Sequence, residues 1–266
     1  MLTAITCDPA LVRAADAAGV DRVGIDIERL GKSQRQRHLP NARLSDHRLE
    51  QLASVAANAT RAEIFVRLNP LHDGSQEEID RALALGARAL MLPYFSGPRE
   101  VACFVEMVGG RGSPVLLLET AAAVVRLRDI VAVKGVTEIV VGLNDLHGSL
   151  GLANHFEVVV TDLMTMIADR VREAGLRFGF GGLARVDDAT LPVPPDLVCA
   201  QYPRLGATSA WLSRSFFHGL GPGGIAPAVH ALRERLDHWK RQPASALLEQ
   251  REELALVLRR IGEGRL

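Results

Sequence analysis

The sequence predicts a closed (β/α)8 barrel with one extra helix at its C-terminal end. Eight short apolar runs of five or six residues alternate along the chain with longer amphipathic segments. Eight strand–helix repeats are typical of this barrel. A doubly wound open sheet is the alternative if one or two runs are not strands. No GxGxxG motif follows the first run, which weakens a dinucleotide-binding interpretation.

The eight apolar runs are interpreted as strands. The run "EIVVGL" is rich in β-branched residues and indicates a strand that is buried on both faces. The predicted strands span residues 2–6, 22–26, 63–68, 89–93, 114–119, 138–143, 177–182 and 209–214.

Two of the intervening segments carry clear helix signals. Residues 75–87 begin with Ser75 and have Glu78 three positions later, the spacing of a capping box. Residues 155–175 form a longer amphipathic segment that ends at Gly175, a common helix stop. We therefore predict one helix in each segment.

Two amphipathic segments follow the last predicted strand, although eight repeats require only one helix there. The second segment follows Pro243 and repeats apolar residues at helical spacing. These residues are Leu247, Leu254, Leu258 and Ile261. We predict a barrel domain over residues 1–242 and a C-terminal helix over residues 243–266. This helix packs on its own barrel or, as we slightly favour, on a neighbouring subunit of a homo-oligomer.

Composition excludes several classes of protein. Of 266 residues, 48% are hydrophobic, which is enough for a large core. Lysine plus arginine and aspartate plus glutamate each number 31, so there is no general electrostatic case for binding nucleic acid or an anionic membrane. Three scattered cysteines, no signal-peptide pattern and no long apolar run predict a cytoplasmic protein.

Charged side chains gather where the predicted strands end. Asp26 and Glu28 follow strand two, Arg67 lies in strand three, Glu119 ends strand five and Asp145 follows strand six. In a (β/α)8 barrel, catalytic groups lie at the C-terminal ends of the strands. Adjacent strands lie about 5 Å apart, so Glu119 and Asp145 could bind one cation. Two carboxylates without a Cys or His pattern suit Mg²⁺ or Mn²⁺.

Each of these residues also has a structural interpretation. Asp145 could cap a turn, and Glu119 could be a first-turn helix acid. Arg67 has apolar neighbours in its strand and needs a partner, either structural or catalytic. His147 is interpreted as a polar loop residue rather than a ligand. The glycine-rich residues 179–185 could offer backbone N–H groups to an anion, although simple turn chemistry is the commoner explanation.

The ordered motifs "VRLNP", "GARALMLP", "LLLET" and "GLNDLHGSLGL" resemble the HpcH/HpaI aldolase and citrate lyase β-subunit superfamily. The resemblance covers roughly residues 20–215. It implies a (β/α)8 barrel, often oligomeric, with a C-terminal helix that packs on a neighbouring subunit. Members of this superfamily make or break a carbon–carbon bond next to an enolate derived from pyruvate or acetyl-CoA.

The resemblance also implies roles for individual residues. Arg67 matches the arginine that stabilises the enolate oxygen, and Glu119 and Asp145 match the metal ligands. The backbone around Asn144 and Asp145 matches the turn that holds the carboxylate of the keto acid. Glu28 and Arg29, which follow strand two on the same face, are added as substrate-binding residues. The implied activity is that of a divalent-metal-dependent lyase or synthase acting on a 2-keto acid.

Two positions depart from the aldolase pattern. Arg29 stands where those enzymes usually have a histidine, and Leu117 stands where they usually have a glutamine. Arg29 also replaces an acid that the citrate lyase branch tends to have. Two alternatives therefore stay open, a CoA-ester lyase like the citrate lyase β-subunit and a barrel that binds ligands without catalysis.

A basic segment follows the second predicted strand. Between Arg29 and Ser45 it has five cations and no acid. The cations are Arg29, Lys32, Arg35, Arg37 and Arg43. The segment is either a solvated or subunit-paired loop, or a cover that recruits an anionic acceptor substrate with a carboxylate or phosphate group.

Overall fold

The computed structural model of the chain is a closed barrel of eight parallel strands, described for residues 1–32 and 45–264. The strand order follows the chain, and β8 closes the barrel by pairing with β1. The strands are β1 (Leu2–Ile5), β2 (Arg22–Asp26), β3 (Glu63–Arg67), β4 (Ala89–Leu92), β5 (Ser113–Leu118), β6 (Glu138–Val141), β7 (Arg177–Leu183) and β8 (Ser209–Leu212). The predicted fold class is confirmed, and the open-sheet alternative is wrong.

Helices connect the strands and cover the outside of the barrel. In the described residues they are α1 (Pro9–Ala17), α2 (Gln51–Asn58), α3 (Ser75–Ala84), α4 (Pro98–Val108), α5 (Ala121–Val125), α6 (Leu127–Val131), α7 (Leu143–Leu150), α8 (Glu157–Val160), α9 (Asp162–Glu173), α10 (Pro195–Arg204), α11 (Arg214–Phe217), α12 (Pro222–Lys240) and α13 (Ala244–Gly262). No helix among residues 1–32 and 45–264 is both long and apolar enough to cross a membrane.

The single helix predicted over residues 155–175 is wrong, because the segment forms two helices. The backbone of Thr161 is extended, with φ −82° and ψ 157°, and separates α8 from α9. The Thr161 side chain accepts a hydrogen bond from the backbone N–H of Met164 and caps α9. A threonine before Asp162 is a good start for a new helix.

The predicted capping box at Ser75 is also wrong, although the helix is present. Ser75 is the first residue of α3, and its hydroxyl accepts a hydrogen bond from the backbone N–H of His72. The carboxylate of Glu78 instead accepts from the backbone and side-chain amides of Asn69, at 2.9 and 2.7 Å. Glu78 thereby fixes the connection that follows β3.

The barrel interior is packed with apolar side chains, and its N-terminal end is closed by charged ones. The interior residues are Phe65, Ala89, Met91, Val115, Leu117 and Val140, with Ile5 and Trp211 beside them. At the N-terminal end, the buried Arg22 on β2 bonds to Glu63 on β3 and reaches Glu138 on β6. This packing leaves the C-terminal ends of the strands as the place for a ligand site.

The C-terminal helix α13 lies against helices α8 and α10 of the same chain. Its buried residues are Leu247, Leu254, Val257 and Leu258. Arg251 adds a hydrogen bond to the carbonyl of Val160 and an ion pair to Asp162. The helix at this position was predicted, and within this chain it covers its own barrel. A homo-oligomer stays a prediction.

Candidate active site

Asp26 and Arg67 form the centre of a charged cluster at the C-terminal end of the barrel. They end the paired strands β2 and β3 and are partners in the strand register. The guanidinium of Arg67 donates from Nε and Nη2 to the two oxygens of Asp26, at 2.8 and 2.6 Å. The same guanidinium lies 5.6 Å from the ring centre of Trp211. Arg67 therefore has the buried partner that its position in a strand requires.

Glu28 and Lys32 extend this cluster. Glu28 is fully buried, and its carboxylate lies 3.5 Å from Nε of Arg67. Nζ of Lys32 lies 2.8 Å from Glu28 and 3.3 Å from Asp26, and the lysine side chain is only 4% exposed. Lys32 was expected to belong to a basic loop. It is instead a buried partner of Asp26, which ends β2, and of Glu28, which follows it.

Glu119 enters the site from the end of β5 and is held by a backbone group. Its Oε1 accepts a 2.9 Å hydrogen bond from the backbone N–H of Tyr94, which follows β4. Tyr94 has φ +48°, a left-handed conformation that non-glycine residues rarely adopt. Such strain persists where the surrounding structure requires it, often at functional sites. Glu119 itself is 2% exposed.

The segment after β6 is a helix, not the turn that the resemblance implied around Asn144 and Asp145. Helix α7 begins at Leu143, directly after Gly142, and Asp145 lies buried in its first turn. A Cβ atom at Gly142 would lie 2.6 Å from Oε2 of Glu119. Gly142 is therefore required because Glu119 occupies the space that a side chain would fill.

The carboxylates of the cluster have opposite electrostatic environments. Burial alone would raise the pKa of Asp26, but the charge and hydrogen bonds of Arg67, with the charge of Lys32, hold it well below its usual range. Burial also opposes the charge of Arg67, yet Asp26 and Glu28 raise the pKa of the guanidinium. The pKa of Glu119 is raised well above its usual value, first by burial and then by the charges of Glu28 and Asp145.

This environment fits a divalent cation at Glu119 and Asp145. The four carboxylates of the cluster outnumber the two cations, Arg67 and Lys32, by two negative charges. Carboxylate oxygens suit Mg²⁺, which commonly binds through one or two carboxylates and completes its shell with water and substrate. In residues 1–32 and 45–264, no group of three His, Cys, Asp or Glu side chains is arranged to hold a metal. Glu119 and Asp145 would be the protein ligands of such a cation.

Two other predicted site residues lie at the edge of the cluster. Arg29 is exposed, and its guanidinium donates to the backbone carbonyls of Ser45 and His47, at 3.5 and 3.2 Å. Asn144 is exposed in the first turn of α7. His147 is not the polar loop residue that was expected, because it is buried in α7 with Nδ1 3.1 Å from the carbonyl of Leu143.

Sequence reasoning missed two residues of the site. Lys32 lies four positions after Glu28, a spacing that favours an ion pair on a helical turn and could have indicated the contact. His47 accepts a hydrogen bond from the backbone N–H of Asp26 at its Nδ1, and burial lowers the pKa of its ring. No sequence signal connected His47 with β2. Arg35, Arg37 and Arg43 of the basic segment lie outside the described residues.

The fold and the cluster define a class of protein, the (β/α)8 barrels whose active site lies at the C-terminal ends of the strands. The family can also be assigned. Residues 1–187 match the sequence profile of the HpcH/HpaI aldolase/citrate lyase family, and the chain belongs to that family. This confirms the resemblance and supports an enzyme of the lyase type.

Several solved structures have the same fold as this chain. A family member from Burkholderia cenocepacia J2315 is 20% identical, with 89% of this chain and 93% of that chain covered and a TM-score of 0.61. The citrate synthase SbnG is 21% identical over 89% and 93%, with a TM-score of 0.60. CitE from Mycobacterium tuberculosis, in complex with magnesium and pyruvate, is 17% identical over 96% of both chains, also at 0.60. A comparison with curated proteins gives no significant match.

Proposed function

We propose that this protein is a divalent-metal-dependent carbon–carbon lyase or synthase of the aldolase type. It acts through the enolate of pyruvate or a related 2-keto acid. The observation that carries the proposal is the meeting of Arg67, Glu119 and Asp145 in one buried cluster at the open end of the barrel. Family membership and the magnesium–pyruvate complex of CitE support the same chemistry.

The residues of the cluster have different roles in the proposed reaction. Glu119 and Asp145 would hold Mg²⁺ or Mn²⁺, which when bound supplies Lewis-acid polarisation of the keto group. Arg67 stabilises the negative oxygen of the enolate. Its Nε and Nη2 are occupied by Asp26, whereas Nη1 makes no hydrogen bond to any residue in the described ranges. The first turn of α7, around Asn144, offers backbone N–H groups to the substrate carboxylate.

In the direction of condensation, the methyl group of pyruvate loses a proton and the resulting enolate carbon attacks the carbonyl carbon of an acceptor. The carbon–carbon bond forms as the acceptor π electrons move to its oxygen, which takes up a proton. Cleavage is the reverse, with the same atoms and charges. An acceptor with its own carboxylate or phosphate group is part of the proposal, because the segment after β2 is basic.

The test is metal-dependent enolisation without any acceptor. We expect the protein with Mg²⁺ to exchange the methyl protons of pyruvate for deuterium, followed by proton NMR. Arg67→Ala should slow the exchange by about 10²-fold or more, the usual scale for removing an oxyanion donor. Arg67→Lys should rescue it poorly because lysine lacks the planar fork that also holds Asp26.

The matched control is Arg241→Ala, which removes an exposed arginine at the end of α12 and should leave the exchange unchanged. Decarboxylation of oxaloacetate is a second assay. The proposal would be contradicted if the wild type neither exchanges the methyl protons of pyruvate nor decarboxylates oxaloacetate. Turnover that requires a CoA ester would favour the citrate-lyase-like alternative. Metal binding without enolisation would favour a non-catalytic binding protein.

A further inference from the structure

Lys32 is a buried cation to which the proposed mechanism gives no role. Its side chain is 4% exposed, and Nζ contacts the carboxylates of Glu28 and Asp26 at 2.8 and 3.3 Å. A lysine charge removed from water is costly unless it is paired. Burial at the mouth of a ligand site, rather than on the outside of the barrel, indicates a function for the pair.

The four charges beside β2 and β3 form a closed ring. Arg67 bonds both oxygens of Asp26 and lies 3.5 Å from Glu28, while Lys32 contacts the same two carboxylates from the other side. Each carboxylate therefore faces both cations. These four side chains carry two positive and two negative charges.

Without Lys32 the ring would carry a net negative charge. The side chain of Arg67 would then be outnumbered by Asp26 and Glu28, and an anion that approaches it would be repelled. Interactions between charges are strong in a buried environment, because little solvent screens them. The charge of Lys32 thus makes the surroundings of Arg67 less negative and favours an anion at the remaining N–H groups of the guanidinium.

Backbone hydrogen bonds fix the segment that carries Lys32. The backbone N–H of Lys32 donates to the carbonyl of Arg29 at 3.2 Å. The backbone N–H groups of Arg29 and Leu30 both donate to Oδ1 of Asn69, at 2.9 and 3.1 Å. Asn69 is in turn fixed by Glu78. The segment that carries Lys32 is therefore anchored to the connection after β3.

We propose that Lys32 is a positioning residue that sets the affinity of the site for an anionic ligand by neutralising Glu28 and Asp26 around Arg67. The inference rests on the proposed function, because it assumes an anion at Arg67. It predicts opposite effects on the binding of an anion and on the binding of a divalent cation. Loss of the Lys32 charge should weaken anion binding, yet leave divalent-cation binding equal or tighter, since the site becomes more negative.

The experiment is calorimetric titration of the full chain with Mn²⁺, and then of the Mn²⁺-saturated protein with oxalate, a stable planar analogue of the pyruvate enolate. We expect Lys32→Met to bind oxalate at least about tenfold more weakly and Mn²⁺ no more weakly than wild type. Lys32→Arg should stay within about threefold of wild type for both. Lys134→Met, which removes an exposed lysine before β6, is the matched control.

A charge-compensating variant separates electrostatics from misfolding. Glu28→Gln combined with Lys32→Met removes one charge of each sign and should recover most of the oxalate affinity. Failure of this variant to recover, unchanged oxalate binding by Lys32→Met, or parallel loss of Mn²⁺ and oxalate would each overturn the inference. If the wild type binds Mn²⁺ but no oxalate, or neither, the proposed function itself fails and the role of Lys32 fails with it.

Discussion

Glu119 is the residue in which the electrostatic demands of the site conflict most. It is buried, it lies close to the charges of Glu28 and Asp145, and its pKa is raised as a result. Asp26 lies at the same end of the barrel. Its pKa is lowered because the charge and hydrogen bonds of Arg67 stabilise the carboxylate. A cation bound beside Glu119 would offset the burial and the like charges that raise its pKa.

This difference predicts a pH-dependent metal site. Glu119 must lose its proton to bind Mg²⁺ or Mn²⁺, and because its pKa is raised in the metal-free protein, binding should release a proton. Affinity should therefore rise with pH through the raised pKa of Glu119 and fall below it. Titration in buffers of different ionisation enthalpy measures the protons released.

The variant that tests the ligands is Glu119→Ala combined with Asp145→Ala. It should abolish stoichiometric binding, because each carboxylate removed takes away a direct ligand. Full binding by the double variant would place the metal elsewhere. Glu119→Gln, which keeps the shape of the side chain, should remove the proton release along with most of the affinity.

At this scale the sequence predicted single residues well only where a motif surrounded them. Arg67, Glu119 and Asp145 were predicted to lie together because each is at or shortly after the end of a predicted strand and belongs to one of the ordered motifs. The burial of Lys32 was not predicted, because a lysine within a basic segment has the composition of a solvated loop. The partners of Lys32 are Asp26 and Glu28, and the barrel fold determines where these two side chains point.

At the scale of the element, the junction between β6 and α7 decides whether the site can form. Gly142 precedes the helix, with φ −84° and ψ 86°, so its backbone needs no glycine for conformational reasons. The requirement is steric, since an added Cβ would also lie 2.8 Å from Cβ of Glu119 and 3.1 Å from Cγ of Leu117.

Gly142→Ala should therefore disrupt the proposed metal site without unfolding the barrel. The new methyl group would displace the carboxylate of Glu119 from the hydrogen bond of Tyr94, and we expect metal affinity to fall by about tenfold or more. Gly223→Ala in α12 is the control, because nothing lies within 4 Å of its added Cβ. Unchanged metal binding by Gly142→Ala would show that Glu119 adapts.

Strands could be predicted from sequence more accurately than helices. Each predicted strand lies within two residues of the observed one, because continuous apolar runs match a wall that is buried on both faces. The helix break at Thr161 was missed, since the amphipathic pattern continues through it. The helix that carries Asp145 was missed because Gly148 and Gly151 give its sequence the composition of a turn.

At the scale of the whole molecule, α13 completes the outer layer of the barrel. Four buried aliphatic side chains face α8 and α10, and Arg251 joins the helix to the α8–α9 junction. Periodicity predicted the helix, but periodicity alone does not say which surface it covers. The contact with α10 is a tertiary property that the apolar spacing left open.

Truncation after Gln242 should lower the thermal stability of the protein, because the buried face of α10 loses its cover. We expect the midpoint of unfolding to fall by about 5–10 °C, as for a loss of a few kcal/mol in a chain of this size. Differential scanning calorimetry measures the change. An unchanged midpoint would show that α13 adds nothing to the barrel.

The same truncation examines the predicted homo-oligomer. Light scattering gives the mass of the full chain and of the truncated chain. A lower mass after truncation would support a role for α13 between subunits, and an equal mass would confine the helix to its own barrel. The double readout separates a loss of stability from a loss of assembly.

The closed N-terminal end of the barrel has a consequence for how a ligand reaches the proposed site. In the part of the chain that the structure describes, Arg22, Glu63 and Glu138 lie across that end, and apolar side chains fill the interior above them. A ligand of the proposed site would therefore enter and leave at the C-terminal ends of the strands. In the proposed reaction, a keto acid bound beside Glu119 would have the co-substrate between it and the solvent. This arrangement predicts that the keto acid binds first and that its product leaves last.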